Sequence, residues 1–165
     1  MQKAPIPEND VERVCAVQGL HLLDTAAEER FDCLTREAVK RFGVPISTIA
    51  LVDKAREWFK SVQGLQSTGG PRDISFCGHA LLSQVILIIN DTLADPCFAD
   101  NPMVVGEPHI RFYAGKSLYD RASNMPVGVF CIKDYVPREM SVADVGDFLD
   151  LAEKAEQELN KPAQA

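Results

Sequence analysis

Residues 46–62, ISTIALVDKAREWFKSV, decide how this chain folds. Residues 46–53 are apolar and rich in β-branched side chains, the composition of a buried strand. Residues 57–62, EWFKSV, make a second strand, and only Lys54, Ala55 and Arg56 separate the two. So short a turn joins antiparallel neighbours, because a parallel pair needs a crossover of about a dozen residues or more. Trp58 and Phe59 are adjacent and point to opposite faces. One ring is expected to face the core and the other outward, where it would mark a contact surface.

The same pattern recurs towards the C-terminus. Residues 109–119 and 127–133 read as two strands joined by a turn at 120–124, and 85–90 reads as a short buried strand. Between them, residues 91–106 are irregular, and 64–71, with three glycines and a proline, read as a loop. Helices flank the strands. The first is expected from Asn9, capped there with Glu12 as capping-box partner, with Val11, Val14 and Cys15 as its apolar stripe and Gly19 as its end. The second is expected from Thr25 with Glu28 as partner, burying Phe31, Leu34, Ala38 and Phe42 and closing at Gly43. Ser75 would cap a short helix from Phe76 to about Ser83. Ser141 and Asp144 would open the last helix, whose face holds Val142, Val145, Phe148, Ala152, Ala155 and Leu159. That stripe either packs on the sheet or also contacts a second copy. The order α-α-β-β-α-β-β-β-α, with hairpins at both ends, specifies an α+β fold: an antiparallel sheet with the terminal helices covering one face.

Length and composition set outer bounds. The chain has 165 residues, enough for one domain with one core, and 46% of them are hydrophobic against 25% charged. Residues 9–160 form that domain, with 1–8 and 161–165 as flexible ends. The formal net charge is -7, and the isoelectric point is near 4.9. A nucleic-acid partner is excluded on this ground, because the phosphate backbone demands a basic surface, and an anionic membrane is excluded likewise. No apolar signal core follows Met1, and the longest apolar run, 85–89, is too short to span a bilayer, so the cytoplasm is the expected location. The five cysteines, Cys15, Cys33, Cys77, Cys97 and Cys131, are odd in number and contain no CxxC pair. That argues against a disulfide framework and a structural zinc site, and burial is expected for Cys15, Cys33 and Cys131. No metal site is expected, and the residues name no cofactor.

Two groups of residues carry chemical potential. In Ser75-Phe76-Cys77-Gly78-His79, Cys77 would lie in the first turn of a helix, where free N–H groups and the helix dipole favour a thiolate or a ligand anion. Gly78 would admit a close approach there. The plainer alternative has Phe76 and Cys77 filling the core and His79 bonded to a loop. The second group is Asp100, Asn101, His109, Arg111 and Tyr113. His109, Arg111 and Tyr113 would share one strand face and offer a row of donors to an anionic ligand. The plainer alternative is an internal salt bridge, Arg111 with Asp100 for instance, that ties down the long loop. The candidate ligand-binding set is thus Phe76, Cys77, His79, Asp100, Asn101, His109, Arg111 and Tyr113, with no catalytic residue assigned.

Several segments together resemble bacterial GAF domains: residues 19–25 with 28–32, 52–53 with 57–61, 72–80, 93–96 with 98–102, 109–115, and 128–134 with Pro137 and Arg138. The resemblance covers roughly residues 9–160. It implies an antiparallel sheet of five or six strands, terminal helices on one face, and short helices and loops forming a pocket on the other. It further implies a sensory or regulatory domain that binds a small molecule or passes a signal through a helix-mediated homodimer, with a kinase or a cyclic-dinucleotide enzyme as its partner. No output segment follows the last helix, so the chain is expected to be either free-standing or a piece of a larger receptor. Two alternatives accompany this reading: a thiol-dependent reductase of the free methionine sulfoxide type, using Cys77, Cys97 and Cys131, and a ligand-free protein-interaction domain. A tetrapyrrole photoreceptor is disfavoured, because a glycine separates Cys77 from His79 and aromatic residues are few.

Overall fold

The computed structural model describes residues 1–162. Its elements run α1 (Asp10–Gly19), α2 (Glu29–Phe42), β1 (Ile46–Val52), β2 (Arg56–Gln63), β3 (Gly69–Pro71), α3 (Phe76–Ala80), β4 (Leu87–Ile89), α4 (Pro102–Val105), β5 (Phe112–Asp120), β6 (Met125–Asp134) and α5 (Val142–Leu159). Six strands form one sheet in the order β3-β2-β1-β6-β5-β4, every pair antiparallel. This is the expected α+β architecture.

Alternation along β1 explains the layering. Ile49 and Leu51 join Phe130 and Ile132 of β6 under α1, α2 and α5. Ile46, Ala50 and Val52 join Val129 and Cys131, with Ile89 of the edge strand β4, on the opposite face, under α3, α4 and the loop around Phe98. Both central strands are therefore buried on both sides, as continuous apolar runs require. Terminal helices and short helices divide between the two faces as expected.

Local differences have local causes. Helix α2 begins at Glu29 rather than Thr25, because residues 25–28 are held otherwise. The buried Lys60 ammonium donates to Thr25 Oγ1 at 2.8 Å and to the Ala26 carbonyl at 2.6 Å, and pairs with Glu28 at 2.7 Å. Lys60 is the extra residue of a bulge in β2, where the register steps from Ile49↔Ser61 to Ala50↔Phe59. In α1 the Asn9 side chain makes no cap bond, and the buried face holds Arg13 and Val17, not Val11, Val14 and Cys15. Arg13 is fully buried; it donates to the Val52 carbonyl at 2.7 Å and to Asp10 at 2.7 Å. Asp10 in turn receives two bonds from Arg72. Cys15 and Cys33 are exposed, against expectation, whereas Cys131 is buried. Part of the loop 64–71 pairs as β3, and residues 91–106 contain α4 and a 3-10 turn at Thr92–Ala94. Trp58 and Phe59 do not split into core and solvent: Trp58 packs against the helical layer and Phe59 is buried in the other. The last helix forms as expected, with the Ser141–Asp144 capping box complete, but Val142 is exposed and Leu151 takes a buried place.

The first eight residues, expected to be a free end, lie against the fold through Ala4, which is buried and donates its amide to the Asp73 carbonyl at 3.0 Å. Residues 163–165 of the expected C-terminal tail lie outside the described residues. Among those described, no helix is long and apolar enough to cross a membrane.

Candidate functional site

The face of the sheet opposite the terminal helices carries a cavity of about 380 Å³. Its sheet side is made by Glu57 and Phe59 of β2 and Lys133 of β6, and Leu65, Ile74, Met103 and Ile110 supply apolar walls. Strand alternation places these charges inward. Glu57 shares a face with Phe59, and Lys133 shares a face with Val129 and Cys131.

Both charged groups are nearly inaccessible, with Glu57 3% and Lys133 2% exposed. The Lys133 ammonium sits between the rings of Phe59, Tyr113 and Phe76, at 5.8, 5.9 and 6.0 Å from their centroids. It makes no hydrogen bond or ion pair with protein among the described residues. Burial works against its charge, but the neighbouring Cys131, Glu57 and Cys77 raise its affinity for the proton, so it stays an ammonium. Glu57 Oε2 is buried without a hydrogen-bond partner. Burial raises the Glu57 carboxyl above its ordinary value, with Lys133 and the Cys77 thiol pulling it part of the way back. A buried cation and a buried, incompletely bonded carboxyl are costly features unless something else engages them.

Beside the cavity lies a polar cluster inside the core. Cys77 Sγ and Cys131 Sγ are 4.0 Å apart; the Tyr113 hydroxyl donates to Cys77 at 3.4 Å, and Thr48 Oγ1 is 2.9 Å from Cys131 Sγ. Burial opposes ionisation of Cys131, but the Cys77 hydrogen bond, the Lys133 charge and Thr48 bring it down to about 7. Cys77 moves the other way, pushed well up by Cys131 and by burial. A place in the first turn of a helix would have lowered Cys77; the structure instead matches the plainer alternative, with Phe76 and Cys77 filling the core. Ser75 does cap α3 through the Gly78 amide at 2.9 Å, but the thiol points into the core, where desolvation outweighs the five-residue helix. Gly78 makes room for the chain itself: a Cβ there would stand 2.6 Å from the Ala4 Cβ.

Of the eight residues singled out from the sequence, Phe76, Cys77 and Tyr113 come together around the Lys133 ammonium. Phe76 stacks on Tyr113 at 5.2 Å and on Phe98 at 4.9 Å. Of the other five, His79 lies in α3 and the rest are spread through the loops. His79 packs edge-on against Phe98, with Nδ1 4.0 Å from Cys97 Sγ. Asp100 pairs with the N-terminal amine, and Asn101 caps α4 while donating to the Ile74 carbonyl at 2.9 Å. His109 has a positive φ of 59° before β5 begins, so it is not on the strand face of Tyr113, and its half-exposed ring faces Glu107. Arg111 also precedes β5 and grips Asp91 through both its Nε and Nη2, in place of the expected Asp100. The loop tie foreseen as the plainer alternative is thus present with a different acid. Glu57 and Lys133 were not singled out. The available signal was a charge in step with buried positions of an apolar strand.

A curated relative is a cyclic di-GMP phosphodiesterase of Pseudomonas aeruginosa, 39% identical over 138 residues that make up 84% of this chain. The chain spans 23% of that protein's length. Among solved structures, the GAF domain of an Acinetobacter phosphoenolpyruvate-protein phosphotransferase aligns with a TM-score of 0.65 at 17% identity, covering 93% of each chain. The type II free methionine-R-sulfoxide reductase of Thermoplasma acidophilum aligns at 0.66 and 9% identity, covering 89% of this chain and 96% of its own. These two likenesses concern the fold alone. A model of the GAF domain family matches residues 26–159, and on that match the chain belongs to the GAF domain family.

Proposed function

We propose that this domain is a cytoplasmic sensory module that takes a small molecule into the Glu57–Lys133 cavity and passes the event to a homodimer formed through α1 and α5. The observation that carries this reading is the pair of buried, incompletely bonded charges facing one cavity of about 380 Å³. Mostly apolar walls with a few convergent polar groups are the ordinary make-up of a ligand pocket. The signalling route follows from β1 and β6, which contribute side chains both to the cavity layer and to the layer under the terminal helices. A ligand would act by preferring one of two arrangements of those helices, since only differential affinity shifts an equilibrium. The relationship to a cyclic di-GMP phosphodiesterase suggests a cyclic-dinucleotide enzyme as the recipient of the signal. Native mass spectrometry of protein purified from its source tests both halves. A dimer carrying a stoichiometric small adduct is expected; a monomer at micromolar concentration overturns the dimer, and a bare mass together with no ligand in a metabolite screen overturns the sensor.

A second reading, a thiol-dependent sulfoxide reductase, is favoured by the 4.0 Å approach of Cys77 and Cys131 beside Lys133. Two thiols would close to a disulfide while a sulfoxide becomes a thioether and water. Cys97, also considered from the sequence, lies instead against His79. Both converging thiols are fully buried, which weighs against attack on a substrate. Reduction of free methionine sulfoxide by the wild-type protein, lost in Cys131→Ser, would establish this reading, and an inactive wild type discards it.

A further inference from the structure

Resting on the cavity as the ligand site, we infer that its ligand class is a compact zwitterion with an apolar body, of the amino-acid kind, with its carboxylate on Lys133 and its amine on Glu57. The argument is one of charge balance in a desolvated place. Lys133 supplies a single ammonium, held by three aromatic rings and within the field of Glu57, but with no hydrogen bond or ion pair to protein among the described residues. Glu57 supplies a carboxyl oxygen with no donor. An apolar ligand would leave both groups without a hydrogen-bond partner, held only by their attraction for each other. A simple anion would satisfy Lys133 but leave its charge facing Glu57, and a simple amine would do the reverse. A phosphate-rich ligand such as a nucleotide would meet one cation against two acids, since the highly exposed Glu107 stands at the rim. Only a ligand bearing both charges completes both partners, each by a charge-assisted hydrogen bond. Leu65, Ile74 and Met103 then face its uncharged part.

The test uses the full chain, labelled with ¹⁵N, and three probes that share one branched alkyl group: L-leucine, 4-methylpentanoate, which lacks its amine, and 3-methylbutylamine, which lacks its carboxylate. L-Leucine is expected to shift the amide signals of Gly69, Gly70 and Ile110, and each half-molecule to bind about tenfold or more weakly. Lys133→Met should abolish the advantage of L-leucine over the amine, and Glu57→Gln its advantage over the acid. The wild-type comparison stands alone if a variant fails to fold. Equal binding of 4-methylpentanoate and L-leucine overturns the zwitterion and leaves the cavity as an anion site. No shift of those amides by L-leucine, L-methionine or L-phenylalanine at about 10 mM overturns the class altogether. The cavity's role as a ligand site then still rests on the carried adduct in native mass spectrometry.

Discussion

Glu57 carries a stability cost at the proposed ligand site. Its carboxyl is buried, lacks a partner on Oε2, and has its proton affinity raised above the ordinary carboxylate value of 4.5. The folded state therefore holds that proton more tightly than the unfolded chain does. Stability linked to Glu57 is greatest at or below the ordinary value and falls as pH climbs from there through the raised one. Glu57→Gln lacks that loss. It should melt like the wild type near pH 4 and be more stable at pH 8, by about 1–3 kcal/mol, the usual penalty of an unpaired buried polar group. Thermal melts across that range check the sign, and a variant less stable at pH 8 than the wild type refutes it. Glu57 and Lys133 escaped attention in the sequence because an isolated charge in a strand is ordinarily on the solvent side. Burial of the second sheet face depends on α3, α4 and long loops that arrive from distant parts of the chain. Phe76, Cys77 and Tyr113 were legible because the Ser75 cap and strand alternation are local rules. Arg111 and His109 were not, because β5 starts at Phe112, beyond both.

At the scale of elements, α1 is where pattern and structure part most clearly. Valine and cysteine spacing suggested a stripe of Val11, Val14 and Cys15, yet the helix buries Arg13 and leaves Val11 77% exposed. The reason is a tertiary ion network: Arg13 and Arg72 share Asp10, and Arg13 also closes on the Val52 carbonyl. Removing one member of such a buried network strands the others. Arg13→Ala should cost about 3–5 kcal/mol in urea denaturation, and a loss below about 1 kcal/mol would show that the network is dispensable. Where local chemistry governs, reading and structure agree: the β1–β2 hairpin, the Ser141–Asp144 box and the Gly43 end of α2 at φ 63° were all foreseen. The exposed α1 face offers a test of the proposed dimer. Val11 and Cys15 are one helical turn apart and both open to solvent. If α1 pairs with its symmetry mate, mild oxidation should give a covalent dimer on a non-reducing gel, absent in Cys15→Ser and retained in Cys33→Ser. A monomer band that resists oxidation would exclude close α1 contact.

For the molecule as a whole, the decisive feature is that one sheet carries two packed layers. Interiors packed at crystal-like density do not deform smoothly, so the proposed signal route requires β1 and β6 to respond as one body with the helices behind. On this account the layers cannot unfold separately. Phe130 of β6 meets Phe148 of α5 at 5.2 Å, while the neighbouring Cys131 faces Cys77 on the other side. The chain supplies a reporter for each layer. Trp58, the single tryptophan, packs with the helical layer, and Tyr113 is fully buried in the cavity layer. Urea titration followed by Trp58 fluorescence and by the ¹⁹F signal of 3-fluorotyrosine at position 113, assigned with Tyr113→Phe, should give one midpoint and one slope. Coincident transitions are the mark of a single cooperative unit. Two midpoints would mean that the layers melt independently. The sheet would then lack the rigidity to carry a signal from Glu57 and Lys133 to α1 and α5.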